Sequence, residues 1–264
     1  MFGKEKAPEG LAAIQGQLLK GEGGSLQNNL ASSSSNVNLL DASPKLIVTH
    51  WLGVYGFTKR EESLHWSEFC EWLQTVPPQE NKKKSPLIKL ARFGEKRTPV
   101  TYDKKGKKHG GSLRNDTNVD EVYGAEGDLD NGVLTFDQAK ALLEQANIRA
   151  VLTTSHSHTP DHHRLRVFCP LSTPCEPDER KLFVARLNGV LEGNLASESF
   201  TLSQSYFIGG KPGGEYRVEC TFDDPEDGYC IDELPELDEF ADYGKASTEE
   251  GPKTEAWTVP EDEL

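Results

Sequence analysis

No stretch of this chain approaches the roughly 18 consecutive apolar residues of a membrane span, so no membrane-spanning helix is expected. It also lacks a G-x-x-x-x-G-K-[ST] phosphate loop, which excludes a helicase motor of that type from this sequence. Its five cysteines, Cys70, Cys169, Cys175, Cys220 and Cys230, include no C-x-x-C pair, the usual mark of a compact zinc module. The first residues, Met1 to Glu9, are too polar for a secretory signal, so reduced thiols and a cytoplasmic location are expected. There is no internal repeat. At 264 residues and 35% hydrophobic composition, the chain can bury one core of roughly 170–190 residues, which favours a single catalytic-sized domain.

The net charge of -14 looks unsuited to a nucleic-acid partner until it is placed along the chain. Residues 223–264 hold sixteen acids against Lys245 and Lys253, which accounts for the whole -14 and leaves residues 1–222 near neutral. From Lys82 to Arg114, by contrast, twelve Lys or Arg stand against Glu95 and Asp103, a net of +10. A tract of that density suits phosphate, although a solvated loop would have the same composition.

Residues 1–44, with GEGGS, QNN and ASSSSNVN, read as a disordered leader, and 223–264 as an acidic flexible tail. Between them, LIVTHW (46–51) suggests a strand. A helix is expected over about 63–75, where Trp66, Phe69, Cys70 and Leu73 share a face before Pro77 and Pro78. A strand over 87–93 then enters the basic loop GEKRTPVTYDKKGKKHGG. VYGAEGDLD reads as a strand closed by the Asn131-Gly132 turn, and Thr135 to Gln138 has capping-box spacing for a helix. IRAVLTT (148–154) returns as a strand, so 122–154 forms a strand-helix-strand unit. RLRVFCPL (164–171) gives the next strand, and a helix is expected over about 177–191. SYFIGG (205–210) and EYRVEC (215–220) are the last strand candidates.

Two clusters carry chemistry. Glu126, Asp128 and Asp130 alternate along one strand and therefore project from the same side, where three carboxylates repel unless a cation lies between them. Their hard oxygens suit Mg2+ or Mn2+. The competing reading is a tight turn with acidic shoulders. The other cluster, His156, His158, His162, His163, Arg164 and Arg166, offers paired guanidinium forks suited to a triphosphate. Zinc held by His156 and His158 with Cys169 or Cys175 is an alternative.

The order GDLDNG, then a helix, then TTSHSHTPDHHRLRVFCPL, then SESFTLSQSYFIGG resembles the archaeo-eukaryotic primase superfamily, especially the primase-polymerases of phages and integrated elements. The FGEKRT and GSLRND segments upstream are similar to what such proteins place before the acidic strand. The resemblance covers about 85–210. It implies an α+β fold with an RRM-like sheet packed against an N-terminal αβ unit, the catalytic domain running from 45 to 222. It further implies Asp128 and Asp130 as catalytic metal ligands, His158 as a catalytic residue contacting the nucleotide, and Arg164, Arg166 and Arg114 on phosphate. Glu198 stands near the place of the family's third acid and is the expected third ligand.

The implied activity is template-dependent nucleotidyl transfer with Mg2+ or Mn2+, on DNA template or primer and nucleoside triphosphates. It would serve replication of a phage or mobile element in a bacterial or phage-infected cell, and the acidic tail would dock a helicase or replication protein. Two other readings stay open. One is a DNA-binding initiator module that has lost catalysis, and the other is a His-x-His rolling-circle nickase with Tyr206 as nucleophile.

Overall fold

The computed structural model describes residues 45–244. The expected leader at 1–44 and the stretch 245–264 lie outside the described residues. What is described is a mixed α and β architecture with antiparallel sheets and few helices.

The first strands are β1 (Leu46–Trp51), β2 (Lys59–Leu64), β3 (Leu87–Lys89) and β4 (Ala91–Phe93), with helix α1 (Trp66–Thr75) after β2. Strand β2, KREESL, has no apolar alternation, and sequence reading assigned its end to the helix. It pairs along its whole length with β1 as a charged edge, a common guard against edge-to-edge association. The single strand expected over 87–93 is two. The chain leaves one sheet after Lys89 and joins the other at Ala91. The basic loop contains a small hairpin, β5 (Thr101–Tyr102) with β6 (Lys108–His109).

The second sheet contains β7 (Val119–Leu129), β8 (Val151–Thr154), β9 (Leu165–Cys175) and β11 (Val218–Cys220), in the order β11-β8-β9-β7-β4. Strand β10 (Tyr206–Phe207) completes the first sheet beside β3. Helix α2 (Phe136–Gln145) starts at the expected capping box, Thr135 accepting from the Gln138 amide while Gln138 answers the Thr135 amide. It connects β7 to β8, and β9 lies between these two strands, antiparallel to both. Helix α3 (Arg180–Val190) follows β9.

Alternation along β7 and β9 gives the sheet two distinct faces. Ala125, Leu129, Val167 and Cys169 share a core with Ala139 and Leu143 of α2 and Val184 and Leu187 of α3. Phe168 and Val151, from the other face, pack with Phe69 and Leu73 of α1 and with Val48 and Ile88. The carboxylates Glu126 and Asp128 alternate with Ala125 and Leu129, so they belong to the Phe168 side.

The acidic tail expected from residue 223 is in fact packed as far as 242. Ile231, Leu234 and Leu237 are buried in the helix-side core. Asp232 accepts from the Ser172 amide and hydroxyl, and Asp238 pairs with the buried Arg186 at 2.7 Å. Spacing of three residues between the buried side chains matches the 3-10 turns Ile231–Glu233 and Pro235–Phe240, which carry Ile231 and Leu237 and meet at Leu234. Removal of 234–264 would therefore uncover core, contrary to what the composition suggested.

Candidate nucleotide and metal site

Strand β7 carries the acidic residues, yet the three carboxylates meet three different environments. Glu126 is fully buried. Its Oε2 takes Lys89 Nζ at 2.5 Å and Arg180 Nη2 at 2.9 Å, and its Oε1 takes the Leu90 amide at 2.8 Å. Arg180 also donates to the carbonyls of Glu126 and Ser199. Burial, and then the neighbouring Arg180, push the Lys89 ammonium down to about 7 against the pull of Glu126. The residue expected to share a cation with Asp128 and Asp130 is instead the centre of an internal ion cluster, at the point where the chain crosses between sheets. A lysine within the apolar run LIKLARF was the sequence signal for a buried partner.

Asp128 stands opposite Arg166 in register and accepts from its Nε at 2.8 Å. Its amide donates to Ser199 Oγ and its carbonyl accepts from the Ala196 amide, so the 196–199 turn clasps the strand end. Asp130 lies one residue past β7, exposed, with no hydrogen bond to its carboxylate among the described residues. The turn that follows needs its glycine. Gly132 has φ +73°, and a Cβ there would lie 2.7 Å from His162 Nδ1, which seats the histidine loop beside the acidic strand's exit.

Arg166 is 4% exposed. Its Nη1 is buried with no partner, as is the hydroxyl of Thr153, the residue opposite it on β8. Leaving each of these buried donors unpaired costs about 1–3 kcal/mol, and in register they could together cradle an anion. Sequence reading found Arg166 but not Thr153. Arg164, two residues earlier, is half-buried, and its guanidinium makes no hydrogen bond among the described residues.

His158 is buried beside this cradle's strand end. Its Nδ1 accepts from the Arg164 amide at 3.2 Å, which places the proton of the neutral ring on Nε2, 3.8 Å from a Glu215 oxygen. Burial lowers the His158 pKa, and Glu215 partly restores it. In NMR titration, His158 is expected to titrate below 6.5 and lower still in Glu215→Gln, because a stabilising anion is removed. An unchanged or higher midpoint in that variant would contradict this geometry. Glu215 was not singled out from the sequence. It follows the Gly-rich GGKPGG loop, which gave no sign of where its end would land.

The remaining candidates separate. His156 donates through Nε2 to the Gln79 carbonyl at 2.9 Å, away from His158, while His163 packs its ring 5.5 Å from that of His158. Cys169 is buried in the helix-side core and Cys175 packs partly buried against it, and neither gathers with His156 and His158 among the described residues. Tyr206 is buried, donates to the Glu126 carbonyl and has its phenol pKa pushed up by burial, a poor state for a nickase nucleophile. Arg114 donates to the Val54 carbonyl and holds the β1–β2 turn, with burial lowering its pKa. Glu198 is exposed on the turn beside Asp128, and its carboxylate faces the Ser197 hydroxyl. Among the described residues, no three His, Cys, Asp or Glu side chains gather as a cation site. Asp128 and Asp130 nevertheless offer hard oxygens beside the anion cradle, and Mg2+ is commonly held by one or two carboxylates with substrate phosphates completing its shell.

No protein-family model matches the chain, and no curated protein matches it. Among solved structures, the AEP domain of the cyanophage S-2L primase-polymerase (PrimPol) aligns with 74% of this chain and 89% of its own, at 12% identity and a TM-score of 0.39. No helix among the described residues is long and apolar enough to cross a membrane.

Proposed function

We propose that this chain is a template-dependent nucleotidyl transferase, a DNA primase or polymerase acting in replication of a phage or mobile element. The observation that carries the reading is the pair of buried, unpartnered donors on Arg166 and Thr153 next to the Asp128 carboxylate. Polyphosphate oxygens would satisfy both donors, and Arg164 would extend the contact along the chain of phosphates. His158, neutral and fixed by the Arg164 amide, would orient the nucleotide. Asp128 and Asp130 would hold Mg2+ or Mn2+, with any third ligand, Glu198 included, reaching the site only after the 196–199 turn moves. When bound, the metal neutralises phosphoryl charge and favours attack by a 3'-hydroxyl.

Arg166 and Asp128 neutralise each other across the two strands. A triphosphate on the guanidinium and a cation on the carboxylate would replace one ion pair with two, so each ligand is expected to strengthen binding of the other. The exposed place of Glu198, whose carboxylate takes the Ser197 hydroxyl, favours, as a second reading, an initiator module that binds nucleotide and DNA without extending a primer.

Calorimetry tests the nucleotide site. Arg164→Ala with Arg166→Ala is expected to weaken nucleotide binding by about 1.5–3 kcal/mol per lost charged hydrogen bond, with template affinity far less affected. Unchanged nucleotide affinity would remove the cradle from the proposal.

A further inference from the structure

The β1–β2 turn lies against the base of the loop that carries the β5–β6 hairpin, and turn and hairpin both expose aromatic rings. Tyr55 is 53% exposed, Phe57 45% and Tyr102 67%. Tyr55 and Phe57 stack on one another, with ring centroids 5.6 Å apart and planes 20° apart. The turn is rigidly held. Gly56 sits at φ +61°, where a Cβ would lie 2.6 Å from the Arg114 Cβ. The Leu113 amide donates to the Gly56 carbonyl, and Arg97 donates to the carbonyls of both Phe57 and Gly111. Backbone bonds between Thr98 and Gly111 and between Thr98 and Ser112 continue this seam to the hairpin.

The surroundings are cationic. Lys96, Arg97, Lys104, Lys105, Lys107 and Lys108 are exposed on this loop. Of its two acids, Asp103 is occupied by the amides of Lys105 and Lys107 at the hairpin turn. Exposed rings amid cations suit a partner that combines flat apolar faces with regularly spaced negative charge. Single-stranded nucleic acid has both, whereas a duplex hides its base faces.

We propose that this surface binds single-stranded nucleic acid, stacking bases on Tyr55, Phe57 and Tyr102 while the hairpin lysines hold the phosphates. The proposal rests on neither the nucleotide site nor a metal, and it stands or falls separately from catalysis.

Fluorescence anisotropy with labelled oligothymidylate and oligouridylate, without nucleotide or divalent metal, provides the test. Tyr55→Ala with Phe57→Ala is expected to weaken binding about tenfold or more at an unchanged salt slope, because no charge is removed. Tyr102→Ala, at the most exposed ring, should weaken it independently. Changing Lys104, Lys105, Lys107 and Lys108 to Gln should instead make the log-log salt slope shallower by about 2–3. These side chains are exposed, so melting temperatures should stay at the wild-type value. Wild-type affinity in both aromatic variants, or tighter wild-type binding of duplex than of single strands, would overturn the proposal.

Discussion

Glu126→Ala is expected to lower folding stability by about 3–5 kcal/mol, since it leaves Lys89 and Arg180 buried without their shared carboxylate. In a folded body of this size the melting temperature should drop by roughly 10–15 °C. The loss should be present with and without manganese, because Glu126 is fully buried and its charge is already balanced by Lys89 and Arg180. A variant with wild-type melting behaviour that had lost only its response to manganese would restore Glu126 to the metal site and contradict the ion cluster.

Asp128→Ala and Asp130→Ala are each expected to abolish primer extension, for different structural reasons and with different effects on folding. Without Asp128, the buried Arg166 guanidinium loses its carboxylate, and stability should fall by about 1–3 kcal/mol. Asp130 is exposed and its carboxylate has no partner among the described residues, so its removal should leave the melting temperature where it was. For Asp128 sequence alone pointed elsewhere, since relief of repulsion among three aligned carboxylates would hold or raise stability. Manganese should raise the wild-type melting temperature in a concentration-dependent way, and that gain should vanish in the double variant. A manganese response that persists there would place the cation elsewhere.

The parts of the fold legible in the sequence are those where local pattern and burial agree. The capping box at Thr135 and the apolar stripe after it place α2, and alternation in RLRVFCPL locates β9 to within a residue of its start. Strand β2 is hidden because it is held by pairing to β1 rather than by an apolar face. The crossing at Leu90 is hidden because alternation shows which way a side chain points but not which sheet receives it. The same limit misplaced Glu126. Its shared side with Asp128 was readable, but the depth at which each one sits depends on Lys89 and Arg180, 37 and 54 residues away. The segment 223–242 was misread because charge dominates its composition, whereas its three-residue apolar spacing is what docks it.

Of the site, the residue types were legible and their partnerships were not. Arg166 and Asp128 were both singled out, yet nothing in either segment showed that they face each other across β7 and β9. Thr153 became visible only once register placed its hydroxyl opposite that arginine. Glu215 reaches His158 from a loop whose glycines carry no positional signal of their own.

The most direct measurement is incorporation of labelled nucleotide opposite a primed and an unprimed template with Mg2+ or Mn2+, comparing wild-type protein with Asp130→Ala. The variant is chosen because its exposed side chain can be removed without disturbing the fold. Metal-dependent, template-directed incorporation by the wild type and none by the variant is the predicted result. Extension by Asp130→Ala at the wild-type rate, or no incorporation by wild-type protein on either template with either metal, would contradict nucleotidyl transfer at this strand end.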